Sequence, residues 1–150
     1  MVPAVALGVA AILGSCTASR LPQTGFYCID LPDGREGDAD ALVDAIAERL
    51  KFKVSKGQFA SEAGPPKEIW EVYGGGVSLI IATQMHSGKP DQLGNRETVF
   101  NPNRLGFNVA KTGRRQRVRF DVVVSAAISA ANQLDLKVKK AVQEECSTQV

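Results

Sequence analysis

Two periods of apolar spacing run through this chain. Residues 25–31 (GFYCIDL) are rich in β-forming side chains and predict a first strand, which the turn residues Pro32-Asp33-Gly34 close. Over residues 39–50, Leu42, Val43, Ile46, Ala47 and Leu50 recur at three- and four-residue spacing, which predicts an amphipathic helix. Asp38 is placed as its N-cap, and Asp40 falls in the first turn, where a carboxylate suits the helix dipole. Phe52 and Val54 alternate with lysines, as a strand or the lead-in to one. Gly64-Pro65-Pro66 breaks the chain. Two strand-like runs follow, EIWEVY at 68–73 and VSLIIATQ at 77–84, joined by Gly74-Gly75-Gly76, and glycine supplies the positive φ of a tight hairpin. The second run is apolar on both faces, which suits an interior strand.

The long stretch 85–116 is too long for a structureless loop inside a domain. Residues 98–100 and 105–110 are read there as a further strand pair about Asn101-Pro102-Asn103. Both periods fit 118–124; the alanines after 125 decide for a helix over 118–133, with strand as the alternative for its first turns. Leu134, Leu136 and Val138 alternate with polar neighbours as a closing strand. The order is β-α-β-β-(insert)-α-β, and it resembles the ferredoxin-like, split βαβ plan. The resemblance implies an α+β two-layer sandwich, an antiparallel sheet with two helices on one face, whose first and last strands are neighbours.

The first residues change the picture. MVPAVALGVAAILGSC has no charged side chain, and its apolar run is shorter than the about 20 residues of a membrane-spanning helix. Its length fits the apolar core of a secretory signal peptide, better than a buried helix that would carry polar positions. The quartet Leu13-Gly14-Ser15-Cys16 resembles the lipobox of bacterial lipoproteins. That resemblance implies a diacylglyceryl thioether on Cys16, cleavage before it and acylation of the new amine, so that several acyl chains hold the protein to a membrane. Thr17 in place of Asp implies delivery to the outer membrane. The expected organisation is a signal peptide at 1–15, a polar tether at 16–24 and one domain at 25–150.

Composition narrows the chemistry. Net charge is +2, too weak a basic excess to argue for nucleic acid. With Cys16 lipidated, Cys28 and Cys146 are an even pair in an oxidising compartment, and a disulfide is expected between them. In the ferredoxin-like plan such a bridge joins neighbouring ends of the sheet.

The candidate sites are few. His86, the only histidine, follows a strand and has no partner fixed by spacing and no nucleophile elbow, so it reads as a solvated loop residue. Asp30, Asp33, Glu36, Asp38 and Asp40 crowd one turn but lack calcium-loop spacing. The glycine triplet precedes a strand and lacks the GK[ST] ending of a phosphate loop. Lys111, Arg114, Arg115, Arg117 and Arg119 form the densest basic run, suited to lipid headgroups or an acidic partner, or simply solvated. No catalytic set, metal site or cofactor is expected. The reading is a lipid-anchored envelope protein with a non-catalytic binding or accessory role. An inhibitor or immunity-type lipoprotein against an envelope-directed toxin is the alternative, and a small hydrolase using His86 is the third.

Overall fold

The computed structural model describes residues 26–61 and 64–146. The leader, Cys16 and the tether lie outside the described residues. The elements run β1 (Phe26–Asp30), α1 (Asp38–Leu50), β2 (Lys53–Phe59), β3 (Lys67–Gly74), β4 (Val77–Pro90), β5 (Arg96–Lys111), α2 (Phe120–Gln133), β6 (Lys137–Ala141) and the single turn α3 (Gln143–Cys146). All the pairings are antiparallel, in one six-stranded sheet of order β2-β3-β4-β5-β1-β6. The fold is α+β, with one antiparallel sheet and two long helices. The ferredoxin-like plan has about four strands; the extra pair here is β2, which adds an edge, and β5, which the insert contributes to the middle of the sheet.

The core explains the choice of elements. Among the described residues Ile29, Leu42, Val43, Ile46, Trp70, Val72, Val77, Leu79, Ile81, Leu105, Phe107 and Val123 are the largest fully buried side chains, and α1 and α2 pack on the sheet around them. Tyr27 stacks on Phe107 with ring centroids 5.0 Å apart. α1 buries the stripe its periodicity predicts, Leu42, Val43, Ile46 and Ala47, with Ala39 added and Leu50 partly buried. Each long helix stops in the same way. Lys51 and Asp135 turn left-handed, both at φ 58°, and Phe52 and Leu136 then donate their N–H groups back to Ala47 and Ala131. That is the Schellman pattern with an apolar residue placed after the turn.

Asp38 does not cap α1. Gly37 occupies the N-cap position in helical conformation with no side-chain cap bond, because the preceding turn winds straight into the helix through Asp38 N–H to Arg35 C=O. The Asp38 carboxylate instead takes the Arg35 guanidinium at 2.6 Å. α2 begins at Phe120, not Val118, and Arg119 before it is extended at φ −78°, ψ 148°.

Asn101-Pro102-Asn103 is not a turn between two strands. β5 passes through it, and the turn lies at Asp91–Asn95, where Asp91 Oδ1 accepts the Leu93 and Asn95 N–H groups at 2.9 Å each. Opposite β4 the register steps from Thr83–Leu105 to Gln84–Asn101. Pro102, Asn103 and Arg104 are therefore extra residues on one strand, a bulge in which proline's missing N–H costs no ladder bond. The freed Asn103 amide group donates to Leu31 C=O, Pro32 C=O and Glu36 Oε2, tying the bulge to the turn after β1.

On the sheet face away from the helices, α3 folds back over β1 and β5. It brings Cys146 to Cys28, with Cα atoms 5.6 Å apart and the sulfurs at bonding distance of 2.02 Å. β1 and β6 are indeed neighbours, with Cys28 opposite Lys139. Gly106 lies opposite Cys28 on the other side, and a Cβ there would meet Phe26 at 2.4 Å and Gln84 at 2.5 Å. Only glycine lets those two side chains cross the strand.

Candidate functional site

The β3–β4 hairpin is a two-residue turn. Gly75 and Gly76 have φ +57° and +85°, and positive φ at both central positions is the mark of a type I′ turn, whose twist matches that of the strands it joins. The segment from β5 to α2 lies against this turn. Thr112 N–H donates to Gly76 C=O at 3.0 Å, and Arg117 and Val118 N–H donate to Gly75 C=O at 2.8 and 3.2 Å. The approach is close: a Cβ on Gly76 would stand 2.2 Å from the Arg115 carbonyl oxygen. The hairpin thus holds the segment by its backbone, with Val118 packed inward and the charged side chains exposed.

Those charged side chains are the basic run. Lys111, Arg114, Arg115, Arg117 and Arg119 are all exposed. Arg119 is paired with Asp121 through an Nε–Oδ1 bond of 3.0 Å, which lowers the Asp121 carboxyl below its ordinary range. The other four make no ion pair among the described residues. Strand pairing adds two cations that lie far away in the chain. Lys53 opens β2 opposite Tyr73, at the same end of the sheet as the hairpin, and Lys51 precedes it at the end of α1. No sequence signal links residues 51 and 53 to 111–119; only the pairing of β2, β3, β4 and β5 does. Two exposed apolar side chains lie at this end of the fold, Tyr73 at the end of β3 and Val122 in the first turn of α2.

The remaining candidates scatter. His86 is not in a loop; it lies within β4 opposite Val99, half-exposed, with no hydrogen-bonded carboxylate among the described residues. The acidic residues of the first turn are divided among separate partners. Asp30 takes Arg104 at 2.8 Å, Asp38 takes Arg35, and Asp40 takes both the Trp70 indole N–H at 2.9 Å and Lys56 at 3.2 Å. Glu36 is held below its ordinary value by its own backbone N–H, the Gly34 N–H and the Asn103 amide. Among the described residues no three His, Cys, Asp or Glu side chains gather to hold a metal ion, and no helix is long and apolar enough to cross a membrane. A surface depression of about 450 Å³ between α2 and β6 is lined by Asn132, Asp135, Leu136, Lys137 and Val138, at the opposite end of the sheet from the basic segment.

The basic end of the sheet therefore gathers exposed cations that make no ion pair among the described residues. It can do one thing chemically, which is to attract and hold anions. No protein-family model, curated protein or solved structure matches the chain.

Proposed function

We propose that the protein is a lipid-anchored lipoprotein of the cell envelope, held at the outer membrane facing the periplasm, with a non-catalytic binding or accessory role. The leader with its Leu13-Gly14-Ser15-Cys16 quartet supports the anchor. The Cys28–Cys146 pair supports an oxidising compartment, since disulfides persist there and are rare in reducing ones. The observation that carries the binding role is the basic segment itself. Four exposed cations, Lys111, Arg114, Arg115 and Arg117, follow one another without an ion-pair partner among the described residues, on a backbone fastened to the glycine hairpin. Like charges held together repel one another, and an external anion relieves that repulsion.

The anchoring is tested by labelling cells with radioactive palmitate. Wild-type protein takes up label and the Cys16→Ala variant does not. Absence of label from the wild type, or equal label in both, contradicts the reading.

A further inference from the structure

The strands give the basic end a direction. Tyr27 pairs with Phe107 and Phe26 with Ala141, so the chain enters β1 from the end of the sheet at which β5 finishes and the basic segment begins. Phe26 follows Cys16 by ten residues, a reach of up to about 35 Å. A chain held at Cys16 therefore enters its folded part from the side that carries Lys111, Arg114, Arg115 and Arg117.

Three features say what lies against that side. The cations lie at the end of β5 and on the segment after it, all exposed along one stretch of chain. An extended anionic surface can engage all of them together, and its field acts within a Debye length of about 8 Å. Exposed Tyr73 and Val122, 37 % and 47 % accessible, lie at the same end of the fold, at the end of β3 and the start of α2. Aromatic and aliphatic side chains next to Lys and Arg are the pattern of a surface resting among headgroups. The acid next to the run, Asp121, is neutralised by Arg119.

We infer that the basic end of the sheet docks on anionic phospholipid headgroups, which orients the anchored domain with its β4–β5 turn at Asp91–Asn95 pointing away from the bilayer. This inference rests on the lipid-anchored reading, and its test separates the two. Acylated full-length protein is placed in vesicles of phosphatidylcholine alone or of phosphatidylcholine with phosphatidylglycerol. Lysine acetylation is then followed by mass spectrometry. Lys51, Lys53 and Lys111 report the docked end, and Lys137, opposite Asp30 at the far end of β1, is the reference within the same molecule.

Each cation near an anionic surface raises the docked population about fivefold. Acetylation of Lys111 relative to Lys137 should accordingly slow at least about fivefold when phosphatidylglycerol is present. High salt should abolish the slowing, and so should Arg114→Glu with Arg115→Glu, two exposed positions, in a variant whose circular dichroism is checked against the wild type. Equal ratios in both vesicle types, in protein that floats with both, overturn docking and leave the anchor standing. Protein that floats with neither overturns the anchor, and docking with it. Protection that appears only on adding envelope proteins, whatever the lipid, assigns the patch to an acidic protein and overturns the proposal.

Discussion

Replacing Gly76 with alanine strikes the joint that presents the basic segment. Gly76 has φ +85°, and a side chain in that left-handed region costs about 1–2 kcal/mol. Its methyl group would also stand 2.2 Å from the Arg115 carbonyl oxygen and 3.0 Å from Gln116 Cα, both backbone atoms, so no rotamer relieves the clash. The segment must lift away. Doing so strains or breaks the bonds from Thr112, Arg117 and Val118 to the hairpin carbonyls, each with a net worth of about 1 kcal/mol. Part of that loss is recovered by water, so the total expected is about 2–4 kcal/mol. Urea unfolding followed by the fluorescence of the only tryptophan gives the stability change. Amide hydrogen exchange at Thr112, Arg117 and Val118 reports the lifting locally. An unchanged urea midpoint together with unchanged protection of those three amides would refute the claim that the hairpin holds the segment.

Other outcomes follow from separate parts of the fold. Replacing Cys28 and Cys146 with serine opens a loop with a sequence separation of 118. In the chain-entropy model that costs up to about 5 kcal/mol, and reductant should then have no further effect on the urea midpoint. Asp40→Ala leaves the indole N–H of buried Trp70 without its acceptor, for an expected loss of about 1–3 kcal/mol, while Asp40→Asn, which keeps an accepting oxygen, recovers most of it. Glu36 titrates below its ordinary value of 4.5 in the folded chain, so its bonds to Gly34 and Asn103 add stability above that pH. The contribution fades as pH falls through the depressed folded value, and Glu36→Gln should flatten the acid limb of a stability–pH curve.

Elements with one wet and one dry face were legible from spacing alone. α1 shows the stripe Leu42, Val43, Ile46 and Ala47, and β4 is apolar where it crosses the middle of the sheet. β2 was only half legible, because an edge strand exposed over nearly its whole length has no buried face to pattern; its lysines protect the edge instead. Asn101-Pro102-Asn103 has real turn chemistry, down to the Asn103 N–H bonded to Asn101 Oδ1 at 2.9 Å. A bulge uses the same local bonds as a turn, and only the partner strand decides whether the chain reverses. Asp38 has N-cap chemistry without being the cap for a similar reason: the cap depends on the conformation of Gly37, which the residue types do not determine. Of the proposed contact surface, the run from Lys111 to Arg119 is plain in the sequence. Its hold on the hairpin and its company with Lys51 and Lys53 are not, since both depend on strand order.

The location proposed for this protein depends on what happens to its three cysteines. The direct measurement is the intact mass of native protein extracted from membranes, taken with and without reductant. The account predicts loss of the fifteen residues before Cys16, addition of a diacylglyceryl group and a further acyl chain, and a gain of two hydrogens on reduction as Cys28 and Cys146 separate. A mass equal to the full unmodified chain, unchanged by reductant, would contradict it.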